Sequence, residues 1–80
     1  MKTIHVQYFA SLREQRGLAR ETVTTLAASV AALYEELKAR HGFALGCIHV
    51  RAAINDEFIA WDTPLHDGEK IVFLPPMAGG

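Results

Sequence analysis

The chain has 80 residues, of which 50% are hydrophobic and 21% charged, with eight basic residues against nine acidic ones. That is ordinary globular composition for one small domain, which excludes intrinsic disorder and gives no general attraction to nucleic acid or anionic membrane. A single cysteine, Cys47, excludes an intrachain disulfide, a CxxC site and a four-thiolate iron–sulfur site.

Thr3 to Phe9 alternates, with Ile4, Val6 and Tyr8 on one face and His5, Gln7 and Phe9 on the other, which predicts a half-buried strand. Ser11-Leu12-Arg13-Glu14 has the spacing of a capping box, and Gly17 suits the left-handed residue after a helix, so a short helix is expected at 11–16. Arg20 to Thr25 holds four consecutive β-branched residues, Thr22 to Thr25, whose stiff χ1 favours a second strand. Leu26, Val30, Leu33 and Leu37 then make an apolar helical stripe. Thr25 or Ser29 could cap this long helix, Glu36 and Arg40 form an i,i+4 pair, and Gly42 ends it.

Phe43 to Cys47 reads as a loop. His49 to Ile54 alternates again, Asn55-Asp56-Glu57 is a turn, and Phe58 to Trp61 is a short returning strand that Pro64 breaks. After the turn at Asp67-Gly68 comes the continuous apolar run Ile71 to Leu74, expected to be a central strand covered on both faces. Pro75-Pro76 stops regular pairing. The order of elements describes an α+β domain. One long helix lies across one mixed sheet, the β-grasp or ubiquitin-like roll, with a domain at 1–74 and an extended tail at 75–80.

His5, His41, His49 and His66 lack the tight spacing of metal motifs and read as surface or packed side chains, so no metal site is expected. Cys47, beside Ile48, reads as a small buried hydrophobe. Neither GxGxxG nor GxxxxGK[ST] occurs, and no serine, histidine and aspartate stand at spacings that suggest a triad. No apolar run approaches the ~20 residues of a membrane helix, and Met1 to His5 has no signal-peptide character. With a free thiol, this points to a reducing compartment, the cytosol.

The tail is the distinctive feature. Gly79-Gly80 closes the sequence after a stiff Pro-Pro spacer. A terminal Gly-Gly arises by chance in about one chain in 200. On a β-grasp domain it gains a steric meaning. An extended tail without β-carbons can thread a narrow channel and bring its terminal carboxylate close to a nucleotide or nucleophile.

Val6-Gln7-Tyr8-Phe9-Ala10-Ser11-Leu12-Arg13-Glu14, Ala52-Ala53-Ile54-Asn55, Asp62-Thr63-Pro64-Leu65-His66-Asp67-Gly68-Glu69 and Phe73-Leu74-Pro75-Pro76-Met77-Ala78-Gly79-Gly80 together resemble, in order, the small subunit of molybdopterin synthase. The region 17–48 matches only in pattern and length, and Met77 stands where a valine is common. The resemblance implies a ubiquitin-like sulfur carrier. An adenylating, ubiquitin-activating-like enzyme would use ATP to activate Gly80, and a sulfur donor would convert the adenylate to a thiocarboxylate. The large subunit would receive the tail and pass the sulfur to cyclic pyranopterin monophosphate. Two small and two large subunits would make a heterotetramer. On this mapping Gly80 carries sulfur, Gly79 gives access, and Pro75, Pro76, Met77 and Ala78 line the insertion path. Phe73 and the exposed sheet face would meet the large subunit, which is expected to hold the catalytic residues. The carrier itself would bind no cofactor. Alternatives are a sulfur carrier for thiamine, cysteine or tRNA thiolation, and a protein modifier joined to lysines through Gly80.

Overall fold

A computed structural model describes residues 1–76. Its strands are β1 (Lys2–Tyr8), β2 (Arg20–Thr25), β3 (Arg51–Ile54), β4 (Glu57–Ile59) and β5 (Lys70–Leu74); its helices are α1 (Ala10–Arg16) and α2 (Val30–His41), with a 3-10 turn at Cys47–His49. The strands form one sheet in the order β2-β1-β5-β3-β4. β1 runs parallel to β5, and β1–β2, β3–β5 and β3–β4 are antiparallel, so the sheet is mixed. This is the expected α+β β-grasp roll.

The core lies between one face of the sheet and α2. Ile4, Val6 and Tyr8 of β1, Val23 of β2, Ala52 of β3 and Ile71 and Phe73 of β5 meet Val30, Leu33, Tyr34 and Leu37 of α2. The helical stripe is therefore 30, 33, 34, 37, and Leu26 is not part of it: that residue is 76% exposed, ahead of the helix. Ser29 is the N-cap, its hydroxyl accepting from the Ala32 amide at 3.2 Å. A bridge between Ser29 and Pro64, with the Leu65 amide donating to the Ala28 carbonyl at 3.0 Å, holds residues 26–29 outside the helix. Gly42, at φ 71°, ends α2, and the Arg40–Glu36 pair forms at 3.0 Å.

The capping box does not form. α1 starts at Ala10, Phe9 is its N-cap, and no side chain caps it. The chain turns abruptly from β1 into α1 through Ala10 at φ 50°, a left-handed backbone that costs an alanine about 1–2 kcal/mol. Ser11 thus falls inside the first turn. That turn throws Phe9 outward, away from the core.

β3 starts two residues later than expected because Cys47–His49 winds into the 3-10 turn, and β4 ends at Ile59, leaving Trp61 in a loop packed on Tyr34 and Phe73. Asn55 (φ 54°) and Asp56 (φ 66°) make the tight turn between β3 and β4. The largest departure concerns β5. It is central, yet only Ile71 and Phe73 are covered; Val72 and Leu74 face the other side of the sheet, where no helix lies among the described residues, and are half-exposed.

Candidate functional site

Strand register assigns the open face. Gln7 stands beside Arg20 and Val72; Val72 stands beside Ala53, which stands beside Phe58; Leu74 stands beside Arg51. All of these side chains project away from α2. The β4 edge of the face is apolar. A groove of about 450 Å³ is walled by Phe9, Ala53, Phe58, Val72 and Leu74, with Gln7, Lys70, Asn55 and Asp56 at its lip. Phe58 is 61% exposed and Phe9 38%. Arg51 stacks its guanidinium over the Phe58 ring, 4.3 Å from the centroid, a cation–π contact that fixes the ring against the sheet.

A second groove, of about 520 Å³, continues from Phe58 and Leu74 to Ile48, His49 and the prolines Pro75 and Pro76. Ile48 is 88% exposed. The root of the tail is therefore one wall of the apolar surface. A partner covering Phe58, Leu74 and Ile48 would hold residues 75 and 76 at the same time. An exposed apolar surface of this kind on a small domain marks a binding site.

Phe73 is corrected by this geometry. It is 0% exposed, with its ring 5.2 Å from Tyr34 and 6.3 Å from Tyr8, so it belongs to the core and cannot touch a partner. The period of two along β5 hands the outward positions to its neighbours Val72 and Leu74. Pro75 and Pro76 follow β5 directly, outside any strand. Met77, Ala78, Gly79 and Gly80 lie outside the described residues. The sequence did carry a signal for the residues missed: Phe9 falls on the polar face of β1, with His5 and Gln7, where a large apolar side chain has no core to enter.

Among the described residues no group of histidine, cysteine and acidic side chains could hold a metal ion, and no helix is long and apolar enough to cross a membrane. Cys47 is half-buried and its thiol lies 3.3 Å from a Glu35 carboxylate oxygen. Burial, and then that carboxylate, push the thiol up to about 11, so it stays protonated at neutral pH.

One polar cluster ties the helices to β1 and β2. The Glu21 carboxylate accepts from Tyr8 Oη at 2.6 Å and from Arg16 Nε and Nη2 at 3.0 and 2.9 Å. His41 Nε2 lies 3.3 Å from Glu21 Oε2 but makes no aligned hydrogen bond. The Arg16 guanidinium holds the Glu21 carboxyl below its ordinary value; burial, with Arg16 nearby, holds His41 below its own. Both groups bind fewer protons in the fold than in the unfolded chain, so both lower stability as pH falls. Their contribution is complete above 6.5, the ordinary value for His41, and decreases below it, then again below 4.5, the ordinary value for Glu21. The urea midpoint should be lower at about pH 5 than at about pH 7.5, and His41→Asn should flatten that difference. Equal midpoints in the wild type would contradict this.

The family model described as ThiS family matches residues 6–80. The molybdopterin synthase sulfur carrier subunit of Escherichia coli K12 is 35% identical, the match covering 96% of this chain and 99% of that protein. A Pyrococcus furiosus protein assigned as molybdopterin converting factor subunit 1 superposes with a TM-score of 0.77 at 31% identity, over 96% of this chain and 100% of that one. From Helicobacter pylori, a chain in the complex of subunits 1 and 2 of molybdopterin-converting factor superposes at 0.67 with 26% identity, over 98% of this chain and 99% of that one.

Proposed function

Because this chain belongs to the ThiS family, we propose that it is the sulfur carrier subunit of a molybdopterin synthase. The observation that carries the reading is the continuity between the open apolar face and the tail root at Pro75 and Pro76. A body docked through that face delivers whatever follows residue 76 to one place on the partner.

The chemistry resides at Gly80. Its carboxylate is a poor electrophile. Attack on the α-phosphorus of ATP, within an activating enzyme, releases pyrophosphate and leaves an acyl adenylate. A donor enzyme's persulfide then attacks the acyl carbon and expels AMP, and a second thiol cleaves the resulting acyl disulfide, taking the donor cysteine into a disulfide and freeing the thiocarboxylate. Gly79 gives access to the terminal carbonyl, and Ala78, Met77 and the two prolines line the path of insertion. Within the large subunit, shielded from bulk water, the thiocarboxylate sulfur passes to cyclic pyranopterin monophosphate and Gly80 returns to a carboxylate; two such transfers, from two charged carriers, build the dithiolene. The folded body, residues 1–74, acts as a handle, and the assembly holds two small and two large subunits.

Phe58→Asp tests the docking half of this reading. It places a charge in the centre of the groove and should weaken association with the large subunit by tenfold or more. Phe58 is 61% exposed, so the unfolding midpoint should move little. Wild-type affinity in the variant, measured by titration calorimetry, would show that the partner sits elsewhere.

A further inference from the structure

The open face is not uniform. At its β2 edge the apolar groove gives way to a polar field on β1, β2 and β5. His5 lies beside Thr22 and Lys70, and Gln7 beside Arg20. Arg20 and Lys70 flank β1 from opposite sides, one alternation apart, with Cα atoms about 12 Å from each other given the ~4.8 Å strand spacing and ~3.3 Å rise. Both are exposed, as is Arg51 at the apolar end. Among the described residues the ion pairs are Arg16–Glu21, Arg40–Glu36 and His41–Glu21, and none involves these three cations. No residue that the strand register places on the open face is acidic; Asp56, in the turn between β3 and β4, is the carboxylate at the groove's lip. The face is thus cationic on a chain whose net charge is −1. The excess acid lies elsewhere.

We infer that the large-subunit surface received by this face is acidic opposite Arg20 and Lys70 and apolar opposite Phe58 and Leu74, and that Arg20 and Lys70 select the partner. The inference takes the synthase reading as its premise. Two cations covered by a neutral or basic surface would lose water without compensation, which penalises wrong partners. Covered by carboxylates they are compensated, and the field draws the two proteins together before contact. The apolar half of the face argues against a nucleic acid, whose phosphates would cover Phe58 and Leu74 to no advantage.

The test is the association rate of the intact carrier with its large subunit, by stopped-flow fluorescence. Salt is raised from about 0.01 M to about 0.1 M, which shortens the screening length from about 30 Å to about 10 Å. The wild-type rate should fall roughly tenfold. The double variant Arg20→Glu, Lys70→Glu should associate about 10- to 100-fold more slowly at low salt and lose or invert the salt slope, while its dissociation rate changes less. Arg20→Lys with Lys70→Arg keeps both charges and should behave as the wild type. Salt-independent association, or reversal variants as fast as the wild type, would overturn the inference and leave the synthase reading standing. No binding of the wild type at any salt would overturn both. Salt-dependent binding of a single-stranded oligonucleotide, competing with the large subunit and lost in the reversal variant, would overturn the choice of a protein partner.

Discussion

Deleting Gly80 should abolish sulfur transfer and leave the domain folded. The last strand ends at Leu74, and the core that holds the domain is complete by Phe73. Gly80 has no side chain to bury, so the melting temperature should stay within about 2 °C, as expected for changes at a chain end. The chemistry would be affected differently. Without Gly80 the tail ends in Gly79, one residue short, and the carboxylate cannot reach either the nucleotide of an activating enzyme or the acceptor inside the large subunit. Displacements of about 1 Å can cost about a hundredfold in rate, and a residue of extended chain is over three times that. Reconstitution with activating enzyme, ATP, sulfur donor, large subunit and pterin precursor measures it. A truncated chain that still yields dithiolene would sink the assignment.

The largest effect on stability should come from Phe73→Ala. The ring is fully buried among Tyr8, Tyr34 and Trp61, with centroids at 6.3, 5.2 and 6.1 Å. Removing it opens a cavity between β5 and α2 and should cost about 3–5 kcal/mol. A chain of this length has only about 4–12 kcal/mol in total, so the variant sits at the edge of unfolding. Phe58→Ala, on the open face, should change stability by no more than about 0.5 kcal/mol. Urea denaturation of the two variants separates inside from outside. A stable Phe73→Ala beside an unfolded Phe58→Ala would mean that the sheet turns its other face to α2.

Phe73 also marks how far the sequence could be read. The alternation of β1, the β-branched run of β2, the stripe of α2 from Val30 onward and the two terminating glycines each encode structure over a few neighbouring residues, and each stands where the local pattern puts it. The faces of β5 are different. Ile71-Val72-Phe73-Leu74 is apolar throughout, so no alternation distinguishes the core side from the open side, and a run of this kind reads as doubly covered. Only the pairing of Tyr8 with Phe73 and of Ala53 with Val72 decides it. Long-range contacts likewise decide the start of α2. Leu26 fits the helical stripe by spacing, but the Pro64 bridge to Ser29 holds the preceding residues out of the helix. The left-handed turn at Ala10 has no glycine to announce it, so the serine and glutamate that follow suggested a cap that the backbone does not use. The cluster around Glu21 was illegible for a similar reason: its members stand at 8, 16, 21 and 41, and only the fold brings them together. The reading of the tail rests on composition and position alone, and residues 77–80 lie outside the described residues.

The central claim is that Gly80 carries sulfur. Intact-mass spectrometry of the chain, after incubation with ATP, the activating enzyme and a sulfur donor, tests it most directly. The account predicts a species heavier by the difference between one sulfur and one oxygen atom, dependent on ATP and on Gly80, that returns to the original mass when large subunit and pterin precursor are added. A chain whose mass never changes, or one found instead joined to protein lysines with no thiocarboxylate formed, would contradict it.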